Sequence, residues 1–280
     1  MNPSEITSYA AKAETFKQLH QRAGLFVIPN PWDAGSAKML AGLGFEALAT
    51  TSAGLAYALG RPDGDGSVSR DEALENARAI VEASALPVAA DLENGYGDEP
   101  EACVETILLA AKVGLSGCSI EDATGNEDDP IYAFEQSVER IKAAVQAARS
   151  LPHPFMLTAR AENFLHGRTN LKDTIRRLEA YADAGADVLY APGLSTLAEV
   201  DAVVRAVSPK PVNVLLSVNN PAFTLDGLAK LGVRRVSVGS LLARVAYGAF
   251  YTAAQELQQK GSFSFADNAI GYERLNKMFK

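Results

Sequence analysis

"AKVGLSGCSIED", residues 111–122, ends a helix and begins a strand. Gly114 is the stop, because helices commonly end on a residue in the left-handed conformation, which glycine adopts without steric cost. The apolar run after it is short and fit for burial in a parallel sheet. It ends on the carboxylates Glu121 and Asp122. The same passage from helix through glycine to strand recurs at "AGLGFEAL" (41–48), "ADAGADVL" (182–189) and "AKLGVRRV" (229–236).

Working outward, strands are predicted at 25–30, 47–52, 87–93, 117–122, 155–162, 187–192, 211–216 and 234–239. Helical periods lie between them, for example "SRDEALENARAIVEAS" (69–84) and "AFEQSVERIKAAVQAARS" (133–150). Eight strand–helix units in about 250 residues match an α/β fold of the (β/α)8 TIM-barrel kind. A doubly wound open sheet is the competing reading. It is disfavoured by the number of regular units and by the lack of a G-x-G-x-x-G after the first strand. The chain reads as one barrel domain over 1–280, with an N-terminal helix over 4–20 and a C-terminal helical extension over 240–280. That extension is more helix than one barrel layer needs, so it is a candidate for subunit contact and a homo-oligomer.

Composition narrows the function classes. The 280 residues are 48% hydrophobic and 21% charged, with a formal net charge of −8. No dense Lys/Arg run exists to track a phosphate backbone, so no nucleic-acid partner is expected. No apolar run reaches the ~18 residues of a membrane span, and the first fifteen residues lack the apolar core of a secretory signal. Cys103 and Cys118 read as buried packing thiols. Reduced thiols without a signal predict a cytoplasmic protein.

The chemistry is carried by "VAADLENGYGD" (88–98). Strand side chains alternate between faces, so Asp91 and Glu93 are predicted to share one. In a barrel that face points into the mouth at the strands' C-terminal ends. Glu121 ends the next strand there, and Asp63 lies on the loop after the second strand. Like charges so placed would force protonation unless a cation sat between them. Oxygen ligands suit Mg²⁺, or Mn²⁺, better than zinc, and His20, His153 and His166 have no ligand spacing. One direct metal ligand is expected, Asp91, with Asp63, Glu93 and Glu121 holding metal-bound waters, although Asp63 taken alone, in "RPDGDG", reads as a turn residue.

Arg160 shares parity with Thr158 and is predicted to enter the same mouth, where a guanidinium can clamp a substrate carboxylate or form a structural ion pair with one of the acids. Arg160 and Glu121 are the candidate catalytic residues. Ser52, Ala53 and Gly54 are candidate substrate contacts, because small residues let backbone N–H groups approach a ligand. Asp91 belongs to the same substrate set. Asn213, polar in an apolar run, reads as either a ligand contact or a satisfied core amide. His166 reads as a surface histidine. The loop "DATGNEDDPIYA" (122–133) is expected to act as a lid, with Thr124, Asn126 or Tyr132 on its inner face.

Several segments together resemble the isocitrate lyase/phosphoenolpyruvate mutase superfamily. They are "IPNPWDAGSAKMLAGLGFEALATTSAG" (28–54), "LGRPDG" (59–64), "VAADLENGYGD" (88–98), "CSIEDATG" (118–125), "LTARAENF" (157–164) and "VNVL" (212–215). The resemblance implies a (β/α)8 barrel whose eighth helix is swapped between subunits, commonly in a dimer of dimers. It also implies Asp91 as the direct Mg²⁺ ligand, and Ser52, Ala53 and Arg160 as contacts to an α-keto acid or small dicarboxylate. The superfamily's isocitrate and methylisocitrate lyases carry a Lys-[Lys/Arg]-Cys-Gly-His stretch after "IED". Residues 122–133 contain no cysteine, histidine or lysine. The expectation is a Mg²⁺-dependent lyase working through an enolate. Phosphonomutase chemistry and non-catalytic keto-acid binding are the alternatives.

Overall fold

A computed structural model describes residues 3–280. Its eight strands are β1 (Phe26–Ile28), β2 (Leu48–Ala49), β3 (Val88–Asp91), β4 (Gly117–Glu121), β5 (Met156–Arg160), β6 (Val188–Tyr190), β7 (Val212–Leu215) and β8 (Arg235–Ser237). All pair in parallel, in the order β1-β8-β7-β6-β5-β4-β3-β2. The two ends of that order meet: the Ala49 N–H donates to the Pro29 carbonyl at 3.1 Å. This is a nearly closed (β/α)8 barrel, and the open-sheet alternative falls. Each strand is shorter than the apolar run that predicts it, because the runs continue into turns that bend out to the helix layer.

The helices are α1 (Pro3–Gln21), α2 (Ala34–Gly42), α3 (Ser52–Ala58), α4 (Arg70–Ala83), α5 (Pro100–Lys112), α6 (Phe134–Arg149), α7 (Leu171–Asp183), α8 (Leu197–Val207), α9 (Leu225–Lys230), α10 (Leu241–Lys260) and α11 (Tyr272–Met278). Gly114 and Gly185 follow α5 and α7 with φ of 88° and 103°, the left-handed stop that the sequence pattern requires. Capping boxes at Ser69/Glu72 and Thr196/Glu199 open α4 and α8.

Strand alternation divides the core in two. Outward residues such as Val88, Ala90, Ile120, Leu157, Leu189 and Val212 pack against the helices in the main apolar cluster. Inward residues Phe26, Ile28, Ala47, Ala89, Met156 and Val188 form a second cluster inside the barrel, completed by Phe16 and Leu19 of α1. Helix α1 therefore plugs the N-terminal end of the barrel and leaves only the C-terminal end open. Cys103 and Cys118 are buried and unpaired. Among the described residues, no helix is long and apolar enough to cross a membrane. Helix α10 is unlike the other long helices: it buries only Ala243, and leaves Val245, Tyr247, Phe250, Tyr251 and Leu257 exposed.

Phe16 is fully buried beneath the barrel. Phe16→Ala is expected to cost about 3–5 kcal/mol, read as a lower urea midpoint. A loss below ~1 kcal/mol in that measurement, far under the usual Phe→Ala range, would show that α1 is not an integral plug.

Candidate active site

The open end of the barrel is centred on Arg160, the last residue of β5. Its Nη1 donates to Asp91 Oδ1 at 2.7 Å and lies 3.1 Å from Glu121 Oε2, and its Nε donates to Glu162 Oε1 at 2.9 Å. The pairing follows from register: Arg160 lies opposite Glu121 across β4–β5, and Asp91 opposite Ser119 across β3–β4. The guanidinium also lies over the Tyr190 ring, 5.1 Å from its centroid. Behind it, buried Asp122 accepts from the Glu162 N–H at 2.7 Å, from Tyr181 Oη at 2.7 Å and from Arg177 Nη1 at 3.0 Å. Asp122 thus fixes the turn that aims Glu162 at Arg160. Sequence reading gave Asp122 no such role, because its partners come from α7 and from the turn after β5.

Two cavities share Ser52, Asp63, Arg160 and Leu165 in their walls. The outer one, about 850 Å³, is bordered by Glu93, Glu121, Glu162, Thr124 and His166. The inner one, about 230 Å³, descends into the barrel past Ala53, Asp91, Thr158, Tyr190 and Arg235. His166, read from sequence as a surface group, is exposed and stands at the outer rim.

The acids divide by their surroundings. Burial pushes Asp91 up, but Arg160 and the Ser52 hydroxyl and N–H outweigh it and hold Asp91 below the ordinary aspartate value. Glu121 is pushed well up by burial, with Arg160 opposing and neighbouring carboxylates adding to the shift. Glu93 rises to about 7 through burial and repulsion by Asp91 and Asp63. Asp63 is also raised, by burial first and then by Asp91.

Asp91 and Glu93 do not share a strand face. The strand ends at Asp91, and Glu93 sits on the following turn at φ 47°. Left-handed backbone at a non-glycine residue is costly and is held here by neighbours: the Glu93 carbonyl accepts from the Glu121 N–H at 2.9 Å. The same turn repeats the feature at Tyr96, φ 62°. Glu93 reaches the cavity by this bend rather than by alternation.

Two further expectations are corrected. The Gly54 N–H is used by the Thr51 side chain, which caps α3, and Gly54 borders neither cavity. A Cβ there would lie 2.5 Å from Thr51 Cγ2, so the glycine serves packing. Asn213 is 1% exposed and borders neither cavity. Its amide donates to Ser237 Oγ at 3.0 Å and accepts from Arg235 Nε at 2.8 Å. It is the satisfied core amide of the two readings. Ser52 and Ala53 do border the inner cavity.

The loop 122–133 is pinned at its neck by an Ala123–Ile131 bridge. Tyr132, expected as a candidate for the loop's inner face, is buried instead. Its hydroxyl donates to Asp98 at 2.6 Å and accepts from Asn94 at 3.0 Å, under the Arg140 guanidinium. Thr124 and Gly125 border the outer cavity, and Asn126 does not.

Among the described residues, no three Asp, Glu, His or Cys side chains close into a metal cage. Asp91, the acid held most firmly ionised, lies beside Ser52, Ser119 and Arg160. Asp63, Glu93 and Glu121 feel its charge from around the cavity. This all-oxygen, open donor set suits a hard divalent cation held by one carboxylate and by waters, and does not suit zinc.

Residues 16–258 match the family model described as phosphoenolpyruvate phosphomutase. A crystal structure from Burkholderia cenocepacia, provisionally assigned as a lyase/mutase, is 56% identical and superposes with a TM-score of 0.94 over 98% of this chain and 97% of that one. An uncharacterized protein of Mycobacterium tuberculosis is 33% identical over 93% of this chain and 94% of its own. Oxaloacetate acetylhydrolase, in complex with its product oxalate, is 27% identical with a TM-score of 0.87, covering 97% of this chain and 94% of that one. Its complex with the inhibitor 3,3-difluorooxalacetate gives 0.86 at the same identity, covering 97% and 93%.

The raised Glu93 carboxyl gives the site a pH signature. Between the usual glutamate value of 4.5 and the folded value of about 7, the folded chain binds more protons than the unfolded one. Stability contributed through Glu93 therefore falls as pH rises through that window. Without divalent cation, wild type is expected to lose about 3 °C of Tm relative to Glu93→Gln between about pH 5 and 7.5. Parallel Tm profiles for the two proteins would refute the perturbation.

Proposed function

The chain belongs to the phosphoenolpyruvate phosphomutase family, and from that premise we propose that it is a Mg²⁺-dependent carbon–carbon lyase acting on an α-keto acid or small dicarboxylate. The observation that carries this reading is the placement of Arg160, Asp91 and Ser52 around one small cavity inside the barrel mouth. In this reading Asp91 holds the cation directly, and Asp63, Glu93 and Glu121 hold its waters. When bound, the cation supplies a Lewis acid for the α-keto oxygen and carboxylate.

The chain's own residues do the rest. Ser52 and Ala53, at the start of α3, receive the keto acid's carboxylate. Arg160 presents a fixed positive charge where negative charge develops as the carbon–carbon bond breaks, an electrostatic contribution that needs no reorganisation. Glu121 and Glu162 keep that guanidinium in place. In decarboxylation of an oxaloacetate-like compound the bond to the departing carboxylate breaks, CO2 leaves and the electron pair remains as an enolate that takes a proton from water, so no base has to remove a carbon-bound proton first. This suits a loop at 122–133 without cysteine, histidine or lysine. Oxaloacetate acetylhydrolase, a relative by structure, holds oxalate as its product, which favours a substrate of this size.

Rearrangement at phosphorus is the second reading, favoured by the description of the matching family model. A panel of keto acids and dicarboxylates with Mg²⁺ is expected to yield turnover with an oxaloacetate-like substrate. Asp91→Ala is expected to lower it by about 10³-fold, a loss of the size seen when a single electrostatic group is removed. Full turnover of that variant in the presence of a chelator would overturn the metal reading. A new ³¹P signal from phosphonopyruvate, with no dicarboxylate cleaved, would establish the second. Tight keto-acid binding in calorimetry without turnover anywhere would make the protein a binder rather than an enzyme.

We also propose that the exposed apolar face of α10 docks on a partner subunit, with helix exchange in a dimer of dimers. Sedimentation is expected to give a tetramer for wild type and a smaller species for Phe250→Glu/Tyr251→Glu. A monomeric wild type would refute the assembly.

A further inference from the structure

Three arginines among the described residues are buried: Arg140, Arg177 and Arg235. Arg177 pairs with Asp122 and Asp173. Arg140 is wrapped by the carbonyls of Asn94, Gly97 and Asp98 and itself lines neither cavity. Arg235 has neither arrangement. Its side chain crosses the barrel interior from β8 and meets only neutral groups: Asn213 Oδ1 at 2.8 Å, Thr158 Oγ1 of β5 at 3.0 Å and His20 Nε2 of α1 at 3.3 Å. It forms no ion pair with a carboxylate, and it borders the inner cavity beside Ser237, Tyr190 and Thr158.

His20 is a lone-pair acceptor in this arrangement. Its Nδ1 lies 2.8 Å from the Phe16 carbonyl, which can only accept, so the proton sits on Nδ1 and Nε2 faces Arg235. Burial and Arg235 depress the imidazole to about 3, which keeps it neutral. A guanidinium has five N–H donors. Asn213, Thr158 and His20 take three of them, leaving two on the terminal nitrogens. A buried cation satisfied only by neutral acceptors, on the wall of a cavity, is arranged to receive an anion.

We propose that Arg235 binds a second carboxylate of the substrate at the floor of the inner cavity, so that the site selects dicarboxylates over monocarboxylic keto acids. This rests on the lyase reading above for the position of the first carboxylate. The placement fits: Ser52 and Ala53, which receive the first carboxylate in that reading, and Arg235 line the same inner cavity. Arg160 is already surrounded by Asp91, Glu121 and Glu162, whereas the positive charge of Arg235 is uncompensated.

The test is calorimetry at saturating Mg²⁺ with pyruvate and 3,3-difluorooxaloacetate, which share the α-keto carboxylate, only the second carrying a further carboxylate. Wild type is expected to prefer the dicarboxylate. Arg235→Met is expected to lose about 30-fold of that preference while pyruvate affinity stays within about 3-fold. Equal weakening of both ligands, or a preserved preference, overturns the proposal. Arg235→Lys keeps charge without the fork and gives the same comparison if the methionine variant does not fold. It is expected to lose part of the preference, and an unchanged preference there also overturns the proposal. Binding of neither keto acid to wild type would refute the lyase reading alone. Succinate against propionate, which lack a keto group, still measures whether Arg235 recognises the second carboxylate: loss of succinate's advantage in the variant supports it, and no change refutes it.

Discussion

One guanidinium organises the open end of this barrel. Arg160 is held between Asp91, Glu121 and Glu162, which come from two strand ends and one turn. Without that charge, neighbouring buried carboxylates would repel one another and protonate. With it, Asp91 stays ionised while Glu121 and Glu93 are displaced upward. The result is unequal acids around one cavity: one firmly negative, the others sensitive to an added positive charge. That inequality is what a site for a divalent cation and an anionic substrate requires.

The lower end of the barrel follows a different rule. Helix α1 fills it with Phe16 and Leu19, and above them lies a polar layer of His20, Arg235, Asn213, Thr158 and Ser237. A barrel interior is a packed core, so polar groups within it persist only when their hydrogen bonds are met. Here they are met by one another except for two N–H groups of Arg235. The layer links the plug to the floor of the cavity, and Arg235 is the member that also faces the open space.

The loop after β4 joins these parts to the surface. Its neck is closed by the Ala123–Ile131 bridge, and Tyr132 anchors it to the turn after β3 through Asp98 and Asn94. The anchoring tyrosine therefore belongs to the scaffold. Only the residues between the bridge, Thr124 to Pro130, are left to shape the rim, and Thr124 turns inward on itself by bonding the Asp129 carbonyl and the Asn126 N–H.

The sequence determined the barrel, because its evidence is local. A glycine stop, a short apolar run and a carboxylate at the run's end repeat along the chain, and each feature acts within a few residues. Period-two alternation likewise placed Arg160, Asp91 and Glu121 in the mouth. It failed at Glu93, where a left-handed turn replaces the strand, while the roles of Gly54 and Asn213 are decided by their partners Thr51, Trp32, Ser237 and Arg235. Arg235 shows the limit most clearly. In "RRVSVG" it is one of two adjacent arginines, and nothing local says which enters the barrel or that it meets no acid there. Contacts across the barrel join residues 69 positions apart in the Arg160–Asp91 ion pair and 215 apart in the Arg235–His20 hydrogen bond. Only the closed sheet brings such residues together, so only the tertiary structure decides which charges are paired and which are left facing the cavity.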